Sequence, residues 1–274
     1  MSTGIPYKAL QKTLKMMFTS EITEKKGQDY KNLIRLTYVD IIPEKSSFWS
    51  GEQGIKVIRE TAPVHHLPEN RADAFVQQVS NALYHLNFKI GHKGMPVSLE
   101  KQDELWKRWL MLRELLADSF TGDWVDEMLT KVDLKMLPSP NLFPQVMEDL
   151  FLNEYFRNIY ELKFDSGINQ LQRNLYGLLP EVVKLQERWS MKSSADYYQL
   201  RFASKWTGNE LGEKLNHWIK IKTGSDAEGK PEITGSGSFL VSKETGWCSS
   251  LESTYALTTG SGYEKIMKIN LKSI

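Results

Sequence analysis

The chain has 274 residues, a formal net charge of +1 and an ordinary apolar fraction of 41%. That is enough for one large domain or two modest ones with a substantial core, and such a balanced charge gives no reason to expect nucleic acid or an anionic membrane as the main partner. One cysteine, Cys248, excludes an internal disulfide and any multi-cysteine metal site.

The opening residues carry lysines at 8, 12 and 15 instead of a long apolar run, so they do not read as a secretory signal. No stretch reaches the eighteen or so apolar residues of a membrane span. A cytoplasmic, membrane-free protein is the default expectation.

In chain order, residues 5–18 read as a short amphipathic helix on Ile5, Leu10, Leu14 and Met17, and 21–29 as a polar linker. The segment 31–42 alternates Ile34, Leu36 and Tyr38 against Arg35 and Thr37, which predicts a strand, and 54–61 predicts a second. Residues 68–83 read as a helix with Pro68 near its start. In 82–90, Tyr84, Leu86, Phe88 and Ile90 share one face of a strand. Ser98 then reads as the N-cap of a helix over 99–120, striped by Leu105, Trp109, Leu112 and Leu116. Further helices are expected over 124–137, 143–162 and 179–189, the last with Pro180 in its first turn. From Asp196 the period becomes two. Tyr198, Leu200, Phe202 and Trp206 alternate, and the pattern continues through 217–223 and the last forty residues.

The tetrapeptide TGSG occurs at Thr234–Gly237 and again at Thr259–Gly262. A phosphate loop needs GxxxxGK[ST] leading into a helix, and neither copy is followed by one. Leu240 stands where the third glycine of GxGxxG would fall. Both runs are expected to be corners of an antiparallel meander. Within it, Trp247, Leu251, Tyr255 and Leu257 take one face, and Cys248, Ser250, Glu252 and Thr254 the other.

These elements predict an α+β fold. Strands from both ends of the chain build one mostly antiparallel sheet: 1–97 and 191–274 form a discontinuous domain, and 98–190 is a helical insert. The alternative is two sequential domains, helical then sheet.

Chemistry is sparse. The adjacent His65 and His66 would point to opposite faces of an extended segment. With His85 and His92 they are the histidines from which a metal-dependent hydrolase could be assembled. No histidine lies between His92 and His217, so the helices carry no Glu-x-x-His iron motif. Cys248 needs a base such as His217 to act as a nucleophile. The paired carboxylates at 103–104, 126–127 and 148–149 read as solvated helix faces. Among the eight tryptophans, Trp49 (beside Phe48) and Trp206 sit in polar, glycine-containing company and are candidates for a partner-binding surface. The expected function is therefore a non-catalytic binding, adaptor or assembly protein without a cofactor, with another protein as partner. The alternative is an apolar ligand held between the sheet and the third helix, around Phe151, Tyr155 and Phe156.

Overall fold

The computed structural model describes residues 4–46, 51–61, 71–164, 168–208, 212–224, 231–260 and 262–274. Its frame is an eleven-stranded antiparallel sheet. The first five strands are β1 (Leu14–Lys26), β2 (Asp29–Ser46), β3 (Gln53–Thr61), β4 (His85–Ile90) and β5 (Pro96–Glu100). The last six are β6 (Ile168–Leu175), β7 (Val183–Ser193), β8 (Tyr197–Trp206), β9 (Glu232–Ser242), β10 (Cys248–Thr258) and β11 (Tyr263–Ser273). Their spatial order is β5-β4-β3-β2-β1-β11-β10-β9-β8-β7-β6, so the two ends of the chain meet where β1 pairs with β11, from Met16↔Ser273 to Lys26↔Tyr263.

The helices are α1 (Arg71–Ser80), α2 (Gln102–Ser119), α3 (Asp123–Met136), α4 (Leu142–Val146), α5 (Leu150–Tyr155) and α6 (Gly212–Thr223). Short 3-10 turns follow α1 at Asn81–Tyr84 and α5 at Ile159–Glu161. The α+β reading holds in outline, with the sheet dominating. The 98–190 stretch contains β6 and β7 as well as α2 to α5, so it supplies two strands of the sheet.

The sheet bends round on itself, and one side chain proves it. Tyr160 donates from its hydroxyl to the Gly246 carbonyl (2.8 Å) in the β9–β10 turn, and its ring lies where a Cβ on Gly94, in the β4–β5 turn, would have to go. Those turns are six strand spacings apart, roughly 29 Å on a flat sheet. A single tyrosine reaches both only if the sheet is a trough. The N-terminal segment crosses the same end. Gln53 holds Leu10 through both backbone groups (2.6 and 2.7 Å), and the Trp247 indole donates to the Lys8 carbonyl (2.8 Å).

One face of every strand fills the trough. Met16 and Phe18, Val39 and Ile41, Ile55 and Val57, Leu86 and Phe88, Val183 and Leu185, and Met267 and Ile269 all lie within one buried cluster with α4 and α5. A second, smaller core of Phe75, Ala82, Trp109, Leu116, Phe120, Val125, Leu129 and Met136 holds α1, α2 and α3 together beside it.

Several local expectations fail for physical reasons. Residues 5–13 form no helix and lead into β1, whose inward Met16, Phe18 and Ser20 alternate. The 21–29 segment is the β1–β2 hairpin. Ser98 belongs to β5, and α2 starts after Lys101, whose left-handed φ of 54° turns the chain from strand to helix. The 143–162 segment is broken into two short helices and a 3-10 turn instead of one helix. The expected helix over 179–189 is a loop and then β7, and the expected strand over 217–223 is part of α6. The first TGSG is not a corner. Gly235 and Gly237 lie inside β9, where a Cβ would strike Tyr255 and Phe202. The second does lie at the β10–β11 turn. A bulge between Cys248 and Ser250 turns Cys248 inward, against its expected polar face.

Candidate functional site

The trough interior is not purely apolar. Glu154 ends the buried face of α5, and Arg157 follows one turn later. Arg173 lies inward on β6, Glu187 inward on β7 between Leu185 and Trp189, and Tyr255 inward on β10. Arg157 pairs with Glu154 (2.5 Å) and Glu187 (3.4 Å), and Arg173 with Glu154 (2.5 Å) and the Asn153 side-chain oxygen (2.5 Å). The Tyr255 hydroxyl accepts from both arginines and donates to Glu154 (3.0 Å). The Trp189 indole donates to Glu187 (2.9 Å). The Arg157 guanidinium also stands 4.3 Å from the Phe202 ring centre and 4.9 Å from that of Phe239.

Burial by itself would raise the Glu154 carboxyl, but Arg157 and Arg173 outweigh it and hold the group at about 2. Burial would likewise lower Arg173, and the Glu154 charge instead holds it above the usual arginine range. Burial keeps the Tyr255 phenol protonated. The cluster thus contains two anions, two cations and one neutral phenol. It is internally balanced and closed to solvent, so it holds α5 to the sheet instead of presenting a base to a substrate. On the other side, Arg59 of β3 grips Asp149 (2.8 and 2.9 Å), which caps α5 by accepting from the Leu152 amide (3.1 Å).

An accessible cavity lies at the opposite end of the trough, beside α6. This helix buries Leu215 and Ile219, sets Trp218 edge-on to Tyr263 (5.7 Å) and pairs Lys222 with Glu24 (3.3 Å). Burial acts to raise Glu24, and the Tyr263 hydroxyl and Lys222 ammonium together pull it below the usual carboxylate range. Between α6 and the β6–β7 loop is a cleft of about 260 Å3, walled by Leu179, Pro180, Leu215, Trp218 and Ile221, with Glu181, Lys214 and His217 supplying the polar groups. Lys214 and Glu181 face each other at 3.6 Å. Ile221 is 68% exposed.

The residues singled out in the sequence are scattered. Phe48, Trp49, His65 and His66 lie outside the described residues. Trp206 is half-buried at the end of β8, with Gly208 packed on its indole, and lines a separate cleft of about 240 Å3 with Pro231 and Ile233. His85 begins β4 and His92 lies beyond its end, so the strand separates them by about 17 Å or more. Burial and the neighbouring Arg108 push the His85 imidazole down. Among the described residues, no group of three or more His, Cys, Asp or Glu side chains is placed to hold a metal ion. Phe151, Tyr155 and Phe156 are buried and pack ring to ring, Phe151 on Tyr155 (5.5 Å) and Tyr155 on Phe156 (5.0 Å), with Phe18 and Phe88 against them. Rings occupy the space where the ligand was expected. Burial pushes the Cys248 thiol up to about 12, which removes the thiolate a nucleophile needs. The charged cluster was missed, although Val183, Leu185, Glu187 and Trp189 place a carboxylate in an inward row once 183–193 is read as a strand.

No family model and no curated protein matches the chain. Among solved structures, a domain assigned to outer membrane lipoprotein sorting in Vibrio parahaemolyticus is 9% identical, with 94% of this chain and 85% of that chain covered. Its TM-score is 0.17, too low for the two to share a demonstrated fold. Among the described residues, no helix is long and apolar enough to cross a membrane.

Proposed function

We propose that this is a non-catalytic binding protein that takes an apolar small molecule into the cleft between α6 and the β6–β7 loop. The observation that carries the reading is the cleft wall: Leu179, Pro180, Leu215, Trp218 and Ile221 leave apolar surface open to solvent beside a helix otherwise rich in lysine. The volume falls just below the usual range for small-ligand sites. A ligand burying about 200 Å2 of apolar area there gains roughly 5 kcal/mol before association costs, which suits a ligand binding in about the millimolar range. The ligand site expected beneath the third helix thus moves to α6. A protein partner docking at Trp206 has less support, because that indole is already half-covered by its own chain.

The test is binding of an apolar fluorescent dye, N-phenylnaphthylamine, with competition by short-chain fatty acids. Ile221→Glu places a charge on the wall at an exposed position and is expected to weaken dye binding about tenfold with an unchanged melting temperature. Dye binding that ignores Ile221→Glu, or no binding at all, overturns the proposal.

A further inference from the structure

The outward face of β6, β7 and β8 carries cations in a pattern that the strand register makes regular. On β7, Lys184, Arg188 and Lys192 recur every fourth residue and face solvent, opposite in sense to the buried Val183, Leu185, Glu187 and Trp189. On β8, Arg201 and Lys205 face the same way. The register sets Lys205 across from Gln186, Arg188 from Ala203, Arg201 from Ser190 and Lys192 from Gln199. The charges therefore zigzag between the two strands, each two residues further along than the last. Successive cationic positions are about 8 Å apart, and the five span about 27 Å.

No carboxylate occupies an outward position on β6, β7 or β8. Glu181, two residues ahead of β7, faces Lys214 (3.6 Å), and other carboxylates flank the face from the β7–β8 turn (Asp196), β9 (Glu232) and β10 (Glu252). Elsewhere this same sheet balances its outward charges across strands: Lys15 stands opposite Asp40, and Lys268 opposite Glu21, where the pair closes to 3.8 Å. Neighbouring cations in the zigzag repel one another. A face serving solubility alone would intersperse the two signs. The remaining outward positions are largely amides: Gln170, Gln172 and Asn174 on β6, Gln186 on β7 and Gln199 on β8, with Gln186 donating to Gln170 (2.9 Å).

We propose that this face binds a linear acidic polysaccharide. Arg188, Lys192, Arg201 and Lys205 would take its carboxylate or sulfate groups, and the interleaved amides its hydroxyls. Charge complementarity selects a polyanion, and the amides select a sugar chain. Single-stranded nucleic acid needs aromatic platforms for its bases, and Tyr197 is the only aromatic among the outward positions of β7 and β8. An anionic bilayer is held by apolar groups that insert, and the described outward side chains here offer only Ala203 and Tyr197.

The experiment is calorimetric titration of the full chain with heparin and with polygalacturonate at low salt, repeated as salt is raised. Arg188→Gln with Arg201→Gln is expected to weaken binding about tenfold or more, and the parent's affinity to fall steeply with salt. The Arg188→Lys and Arg201→Lys pair should retain most of the affinity. Lys131→Gln with Lys135→Gln, on α3, should stay within about twofold of the parent. Failure to bind either polysaccharide, or equal binding by the Arg188→Gln, Arg201→Gln protein, overturns the proposal. Tighter binding to oligo(dT) or to phosphatidylglycerol vesicles than to either polysaccharide also overturns it.

Discussion

Glu154 is the residue on which the trough interior turns. Its carboxylate neutralises two buried guanidiniums at once, and both would be left undercompensated without it. Removing one partner of a buried ion pair costs more than the pair itself contributes, because the survivors remain desolvated. Glu154→Gln keeps the volume and some hydrogen bonding but removes the charge. It is expected to destabilise the protein by about 3–5 kcal/mol in urea unfolding. The pH dependence has a definite sign. The folded carboxyl is held at about 2, below its ordinary value of 4.5, so its stabilisation is complete above about 4.5 and is lost as pH falls toward 2. Between those limits the parent should lose stability with a steeper slope than Glu154→Gln. Parallel slopes would mean that the carboxylate is not the charge holding the cluster.

At the scale of elements, β9 shows how a strand makes room for that cluster. A Cβ on Gly237 would lie 2.3 Å from the Glu252 carbonyl oxygen and 2.4 Å from the Phe202 ring, and one on Gly235 2.5 Å from the Tyr255 ring. Phe202 and Tyr255 are the aromatics that pack on Arg157 and Arg173. Gly237→Ala should therefore cost about 1–3 kcal/mol through displaced rings and backbone. Gly262, with φ +77° and open space around it, should cost only about 1–2 kcal/mol of backbone strain as Ala. Thermal melting of the two variants tests that order, and a Gly262→Ala protein that melts lower than Gly237→Ala would refute it. The glycine pattern was visible in the sequence, but its purpose was not, because a strand glycine and a turn glycine look alike until the opposing residues are known. The same limit explains the other misreadings. Residues 183–189 keep period two except at Glu187, and Pro180 ahead of them also suits a helix start. Residues 217–223 alternate over too short a window to reveal that Leu215, Trp218, Ile219 and Lys222 share a helical spacing. Strands β2, β3, β4, β8, β10 and β11, with the second half of β9, were legible because a one-sided trough imposes period two, and α2 and α3 because their apolar stripe is long. The charged cluster was illegible because an inward carboxylate or guanidinium reads as solvent-facing until pairing fixes its face. The α6 cleft required knowing which loop lies opposite the helix.

Across the whole molecule, the two cores set how it unfolds. The helical lobe of α1, α2 and α3 has its own buried centre at Trp109, whose indole donates to Asp133 (2.8 Å), while Arg113 pairs with the same carboxylate (3.0 Å). Leu83 packs against both cores. Arg108 binds the Ala82 and His85 carbonyls (3.0 and 2.6 Å), and Arg59 binds that of Leu83 (2.6 Å), so polar links join the two cores beside the apolar contacts of Leu83 and of Leu105, the α2 residue buried in the trough core. The trough itself is closed by strand pairing that does not involve the lobe. We therefore expect the lobe to open below the free energy of global unfolding. Trp109→Ala removes a fully buried indole and should cost about 3–5 kcal/mol, confined to the lobe. Hydrogen exchange read by mass spectrometry should show α2 and α3 losing protection while β8 to β11 retain it. Trp189→Ala, in the trough, should lower protection in both regions. Binding at the α6 cleft should survive Trp109→Ala, because α6 is anchored to Glu24 and Tyr263 on β1 and β11, not to the lobe. Equal loss of protection across lobe and strands in Trp109→Ala would instead mean that the junction couples the cores into one cooperative unit.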